Sequence, residues 1–451
     1  MTKAQTYRAD DFSPSVSDVN IVQLMKAREG KNRPAKKIEF ASHPLLKALK
    51  EAGTKHIYTD TADQTEMLDL LLSEETDDTI RLFGEIDGNT TNQPLIDRVL
   101  NRYIDAESED GLVNWVKSIQ RYKRDLTIED AVILVYSIIN GRLGLEVTDY
   151  YRANRIWEIS LELHTSLASQ FEKSKLVGWY LNRAVPNSFV KVALTPNHPH
   201  CLLIARDLER QNIPVNFTAT FSARQIVAAA LLANPSRTNI FLGRLSQGLY
   251  SELLGEQVVV ETQKHVKNFR EKYGVKTLNM LASVRRPETM SLTAGCDVYT
   301  IPYPVLKEFM NSDIAPESIT NQTQASYEDQ LDIDEQVLAK ISAEKIKQLY
   351  TVEPEFIEFL LELRNSQEYD EIDGDGLYKR FDEAGFGDFF YSPNESEWKE
   401  IRKGKLPNLD SEITKKLPLD TLYTLLAFGD FMNFQDAMDK KIREPIQHLF
   451  T

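Results

Sequence analysis

The chain has 451 residues, long enough to bury a large core as one big domain with an appendage or as a few smaller ones, and its 42% hydrophobic and 27% charged content is that of an ordinary globular protein. Its 53 basic against 68 acidic residues leave a net charge of −15, which argues against general nucleic-acid or anionic-membrane binding and leaves a phosphate ligand only a local basic pocket. Two cysteines, Cys201 and Cys296, imply no disulfide framework and a reducing, cytoplasmic setting; the longest apolar stretches, such as residues 226–233, fall far short of a bilayer span, and the acidic start around Asp10 and Asp11 has no character of a secretory or transit segment.

Residues 1–40 are polar, and the basic, proline-interrupted stretch 31–37 reads as an exposed arm or linker. From 41 to 315 short β-rich runs alternate with amphipathic helical stretches, the pattern of a parallel sheet with crossover helices. Eight candidate strands are expected at 56–62, 83–91, 156–163, 188–194, 214–221, 238–243, 277–284 and 296–302. Eight such strands suggest an α/β fold of the closed (β/α)8 TIM-barrel type, and no GxGxxG follows the first strand to favour an open dinucleotide-binding sheet. Residues 316–335 are polar and read as a linker, while 336–451 form a helical C-terminal extension with amphipathic candidates at 341–350, 355–364 and 421–438. Phe428, Phe431 and Phe434, at helical spacing, read as core or as an interface face.

Strand parity supplies an internal check, because alternate residues share a face. Asn216, Thr218 and Thr220 fall on one face, Val215, Phe217, Ala219 and Phe221 on the other; Ser160 and Glu162 likewise share a face, and Asp60 closes its strand on the face of Tyr58. Polar residues at the C-terminal ends of several barrel strands converge on one mouth.

Lys191 stands alone in the apolar run 189–195. A cation in a strand buried on both faces costs free energy unless its surroundings neutralise it or use it, and a desolvated lysine amine is the nucleophile that forms Schiff bases with carbonyl substrates. The alternative is a lysine that snorkels to the strand mouth or pairs with a carboxylate. Two weaker motifs point mostly to plain structure: Glu371-Ile372-Asp373-Gly374-Asp375-Gly376 is a degenerate start of a calcium loop with Asp382 at its twelfth position, and His198 and His200 lack clustered ligands for a metal.

The stretches Ile57-Tyr58-Thr59-Asp60-Thr61-Ala62-Asp63, Gly88-Asn89-Thr90-Thr91-Asn92, Ser160-Leu161-Glu162-Leu163, Val190-Lys191-Val192-Ala193-Leu194-Thr195-Pro196, Val215-Asn216-Phe217-Thr218, Phe241-Leu242-Gly243-Arg244, Ala282-Ser283-Val284-Arg285 and Ala294-Gly295-Cys296-Asp297 follow one another at barrel spacing. In that order they resemble the transaldolase family, over roughly residues 55–312. The resemblance implies a cofactor-free, metal-free (β/α) barrel transferring a dihydroxyacetone unit between sugar phosphates of the pentose phosphate pathway. Lys191 would form the imine with the ketose C2, and Asp60 would take the C4 hydroxyl proton. Glu162 and Thr218 would hold a water for dehydration and hydrolysis. Asn92 and Asn216 would bind the dihydroxyacetone hydroxyls, and Arg244, Ser283 and Arg285 the phosphate.

This chain departs from the family pattern in two places. Asn239 stands where the family usually has a serine touching the donor, before Ile240 and Phe241, and Pro94 comes one place late after Thr90-Thr91-Asn92-Gln93. The alternatives are a fructose-6-phosphate aldolase releasing free dihydroxyacetone, whose relatives typically carry glutamine at Glu162 and tyrosine at Phe241, or a non-catalytic barrel that binds sugar phosphates. The extension is expected to pack on the barrel or to mediate self-association, as in a homodimer.

Overall fold

In a computed structural model, residues 14–27, 29, 36–104, 111–151 and 156–451 are described; Asp10, Asp11 and residues 31–35 of the basic stretch lie outside them. Eight parallel strands close a barrel in chain order: β1 His56–Asp60, β2 Gly88–Thr90, β3 Glu158–Glu162, β4 Ser188–Ala193, β5 Val215–Thr220, β6 Arg237–Phe241, β7 Leu278–Ala282 and β8 Val298–Pro302, which pairs back onto β1. Each strand falls within one of the expected runs or overlaps it closely. The run 83–91 is the exception in content: Thr79–Phe83 belongs to a separate three-stranded sheet with Lys37–Ala41 and Leu72–Glu75, and only Gly88–Thr90 enters the barrel.

Parity fills the barrel in layers. At the floor, Arg237 of β6 donates to Glu158 of β3 at 2.9 Å, and its guanidinium carbon lies 3.8 Å from the Phe189 ring centre and 4.9 Å from that of Tyr58. The Tyr58 hydroxyl also donates to Glu158. One layer up, Asn216 Nδ2 donates to Ser160 Oγ at 3.0 Å and faces Met280 Sδ at 3.8 Å. The top layer carries Asp60, Thr90, Glu162, Lys191 and Thr300. Alternation fails at one point: Ala219 has φ 62°, and the β5–β6 register shifts between Phe217 and Thr220. Thr220 consequently leaves the series of Asn216 and Thr218 and bonds the Asn239 carbonyl, while the Phe221 ring packs 5.5 Å from Phe241 instead of under the helices.

Three expectations are corrected by packing. The polar 1–40 segment contains a helix, Val16–Lys26, opened by a Ser15–Asp18 capping box, and Ile21, Val22 and Met25 on it are buried in the main core. The 316–335 segment is a strap: Tyr327 N–H donates to Gln257 and its hydroxyl to the Leu292 carbonyl, and Asn321 donates to the Ala52 carbonyl. The third concerns bilayer length. Helix Ile128–Tyr151 is long and apolar enough to cross a membrane by length and composition, but 94% of its most apolar window is buried within the fold.

The C-terminal extension is helical, and its last long helix, Leu419–Ile446, crosses the C-terminal mouth of the barrel. Asp420 accepts from Arg224 and Ser222, Gln225 donates to Thr424, and His164, just past β3, pairs with Asp439 at 2.9 Å. Phe428 and Phe431 are buried, whereas Phe434 is 37% exposed, so the expected stripe is only partly an interface. The acidic loop folds as a helix start: Asp373 caps Gly374–Glu383 by accepting the Gly376 N–H.

The floor makes stability depend on acid. Burial works against the Glu158 charge, yet the His56 hydrogen bond, the Arg237 charge and the Tyr58 hydroxyl outweigh it and bring the carboxyl pKa from 4.5 down to about 2. A depressed carboxylate stabilises the fold fully above the unfolded value and loses that contribution as pH falls toward the folded one. Urea unfolding should therefore show stability falling between pH 4.5 and about 2. Glu158→Gln, which strands the buried Arg237 charge, should cost about 3 kcal/mol at pH 7.

Candidate active site

Lys191 of β4 lies in register with Glu162 of β3 on one side and with Asn216 of β5 on the other. It is 3% exposed, so it does not snorkel to water; its Nζ stands 2.8 Å from Glu162 Oε2 and donates to the Thr91 carbonyl at 2.9 Å. The salt-bridge alternative and a chemical role are compatible here. Burial raises the proton affinity of Glu162, with the Lys191 charge acting against the rise and the Asp60 charge adding to it. A carboxyl that holds its proton more readily than usual, in contact with an amine, is a ready acceptor for the proton that the amine must lose to become nucleophilic. Glu162 is fixed through its own backbone, whose carbonyl accepts from Asn140 at 2.8 Å and from Tyr136 at 3.2 Å.

Asp60 ends β1 in register with Thr90. Thr90 Oγ1 donates to Asp60 Oδ1 at 2.7 Å and contacts Thr300 Oγ1 of β8 at 2.5 Å. Asn92 Nδ2 reaches both carboxylate oxygens at 3.4 Å while its Oδ1 accepts the Leu95 N–H, so this residue caps helix Gln93–Leu100 and touches the site at once. Burial raises the Asp60 pKa above its ordinary 3.8, opposed by the charge of Lys191, the Thr90 bond, the charge of Arg285 and the Asn92 bond. Asp63, by contrast, caps the next helix through Thr65.

Thr218 follows one turn of the pleat above Asn216, and its Oγ1 is buried without a hydrogen-bond partner among the described residues; the same holds for Asn216 Oδ1, Asn239 Oδ1 and Ser283 Oγ. Each such atom costs about 1–3 kcal/mol when left unpaired. They lie along β5 and β6 and just past β7, where the polar side of the barrel has hydrogen-bonding capacity to spare. Ser283 adopts φ 61°, a left-handed conformation uncommon for serine, which turns the chain from β7 toward Arg285.

The cationic side of the mouth is built from β6 and β7. Phe241 ends β6, and Arg244 follows within helix Leu242–Gly248, its guanidinium carbon 5.6 Å from the Phe241 ring centre. Arg285 is exposed at the rim; partial burial and then the like charge of Arg244 lower its proton affinity, while Asp60 acts in the opposite sense. Gly243 allows the two arginines to approach: a Cβ there would fall 2.1 Å from the Ser283 carbonyl oxygen and 2.6 Å from Arg285 Cγ. Arg286 points away, donating to Glu252 and Glu256.

The structure therefore brings Asp60, Asn92, Glu162 and Lys191 into direct contact or one shared field, and ranges Arg244, Ser283, Arg285 and Phe241 on the opposite side. Asn216 lies one layer deeper than a mouth residue. Sequence reading missed Thr90 and Thr300, which hold Asp60, although inward parity was a usable signal for both. It also missed Asp430 of the C-terminal helix, which accepts from Arg244 Nη2 at 2.8 Å, and no local pattern pointed to that contact.

A closed parallel barrel with an interior lysine, two carboxylates and an arginine pair at its C-terminal strand ends defines a (β/α)8-barrel enzyme. The family model for Transaldolase/Fructose-6-phosphate aldolase matches residues 57–351, and the chain belongs to that family. It is 24% identical over 311 residues to Transaldolase NQM1 of Saccharomyces cerevisiae, covering 66% of this chain and 85% of that protein. Identity is 28% over 294 residues to the transaldolase of Kluyveromyces lactis, 62% and 78% of the two chains. It reaches 30% over 192 residues with the probable transaldolase of Carboxydothermus hydrogenoformans, 42% and 75% of the two chains. Family and relatives together mark a transaldolase-type enzyme.

Gly243 gives the mouth its sharpest steric requirement. Gly243→Ala should force Ser283 and Arg285 outward and cost about 1–3 kcal/mol, measured by chemical denaturation, with inorganic phosphate protecting the variant less than the wild type.

Proposed function

We propose that the protein is a transaldolase that moves a dihydroxyacetone unit from a ketose phosphate, fructose 6-phosphate or sedoheptulose 7-phosphate, to an aldose phosphate through an imine on Lys191. The observation that carries this reading is the buried Lys191–Glu162 contact at 2.8 Å, with Asp60 in the same field. Lys191 gives a proton to Glu162 and its amine adds to the C2 carbonyl. Loss of the former carbonyl oxygen as water leaves the iminium. Asp60 takes the C4 hydroxyl proton; the C3–C4 bond breaks, its electron pair moves into the iminium as an enamine, and the aldose phosphate leaves. The enamine carbon then attacks the incoming aldehyde, whose oxygen takes back the proton held by Asp60, and water hydrolyses the new imine to free Lys191.

Glu162 and Thr218 position the water for dehydration and hydrolysis, since a water needs an acceptor and a hydroxyl to fix it. Asn92, Asn216 and Asn239 serve the donor hydroxyls; Asn239, longer than the serine of the family pattern, reshapes that part of the pocket. Ser283, Arg285 and Arg244 take the phosphate, for which guanidinium forks are suited. No step in this sequence calls for a metal or an organic cofactor.

Borohydride reduction in the presence of fructose 6-phosphate should attach a three-carbon unit or the whole ketose to Lys191, read by peptide mass spectrometry; a folded protein that gives no adduct, or one elsewhere, sinks the proposal. In a turnover assay without borohydride, sugar exchange without accumulation of free dihydroxyacetone distinguishes a transaldolase from an aldolase. The raised pKa of Asp60 adds a pH signature. The ionised base is lost as pH falls, so kcat/KM should drop on the acid side with a midpoint above 3.8. Asp60→Asn should lower kcat about 10²–10⁴-fold and leave imine trapping intact.

A further inference from the structure

The C-terminal helix Leu419–Ile446 lies beyond the matched 57–351 stretch, yet it reaches the mouth at its centre. There Asp430 Oδ2 accepts from Arg244 Nη2 at 2.8 Å. Arg244 is 7% exposed, and its Nε and Nη1 find no hydrogen-bond partner among the described residues. A desolvated guanidinium with five donors is thus met by a single carboxylate oxygen, which leaves most of its fork unanswered. The neighbouring Phe431 ring lies 6.3 Å from Phe241, the same ring that Arg244 faces. On either side the helix is anchored independently of Asp430, by Asp420 with Arg224, by Asp439 with His164 and by Lys441 with Asp97. Asp430 is therefore delivered onto Arg244 by a helix that does not need this contact to stay in place.

Resting on the transaldolase reading above, we propose that Asp430 is a specificity-determining residue: it occupies the phosphate's place on Arg244, and a phosphorylated donor binds by displacing it. A phosphate monoester brings about −1.5 to −2 charges and three acceptor oxygens, so it answers Nε and Nη1 as well as Nη2, which one carboxylate oxygen does not. The carboxylate has the advantage of being tethered, and so competes at high effective concentration. An unphosphorylated ketose meets an Arg244 already neutralised and displaces nothing. Asp430 consequently narrows the enzyme's preference for phosphorylated over unphosphorylated donors.

The test compares wild type, Asp430→Asn and Asp430→Glu in KM and kcat for fructose 6-phosphate and for fructose, and in calorimetric binding of inorganic phosphate. Asp430→Asn should lower the KM for fructose 6-phosphate and the Kd for inorganic phosphate by about tenfold, with kcat within about twofold and the fructose KM unchanged. Asp430→Glu should restore wild-type behaviour. Asp436→Asn, which removes an exposed carboxylate of the same helix that pairs with Arg402, should change none of these values. A folded Asp430→Asn variant with unchanged or higher KM for fructose 6-phosphate overturns the proposal and makes Asp430 an anchor or a support for Arg244. Should that variant not fold, the wild type still decides. Saturating inorganic phosphate should shift the carboxylate carbon NMR signal of Asp430 in the wild type, and an unmoved signal overturns the proposal. Phosphate binding and the Asp430 signal require no turnover, so they remain readable if imine trapping fails, and a trapped Lys191 with no Asp430 effect rejects this inference alone.

Discussion

The contact between Lys191 and Glu162 is the constraint around which the barrel is arranged. Taking two charges out of water costs several kcal/mol per ion even after relaxation, and their attraction offsets this only where geometry and extra hydrogen bonds are good. Here β3 and β4 place the two residues in register, the Thr91 carbonyl accepts a hydrogen bond from Lys191 Nζ, and Asn140 and Tyr136 hold the Glu162 backbone. Among the described residues the layers beneath are filled by side chains. Arg237, Tyr58 and Phe189 close the floor, and Asn216 and Met280 occupy the middle. The pair sits above these layers and faces the mouth, where most of the other polar groups of the site stand.

That mouth is a product of two distant parts of the chain. Strand ends and the turns after them supply the chemistry, whereas the roof comes from Leu419–Ile446, with Phe428 and Phe431 beside the ends of β3 and β4. Arg224, Arg244 and His164 each meet an aspartate from this one helix. A chain with a net charge of −15 thus spends part of its acidic surplus neutralising the basic rim of its own site.

Much of this was legible in the sequence, and for a specific reason. Strands buried on both faces are short apolar runs, and a lysine within one stands out; parity then aligned Asp60 with Tyr58 and Glu162 with Ser160, as the register shows. The same rule misjudged Thr220 and Phe221, because the left-handed Ala219 inserts a bulge that no propensity for alanine announces. The run 83–91 merged two elements because Thr79–Phe83 is as β-rich as a barrel strand and differs only in what it pairs with. Helix Ile128–Tyr151 went unread because Asn140 and Arg142 interrupt its apolar face, though both are buried. Asp430 was out of reach altogether: it lies 186 positions from Arg244, and an acid in an amphipathic helix looks like solvent-facing charge until the fold brings the arginine to it.

The hydroxyl pair of Thr90 and Thr300 has a consequence for the order in which the molecule can be made. Asp60 sits on the first barrel strand, but the threonine that holds it is itself held by the eighth, 210 positions later in the chain. A ribosome must therefore extrude the whole barrel before the base acquires its final support, and β1 waits until then with one edge unpaired. The barrel strand made first is completed only when the last one arrives.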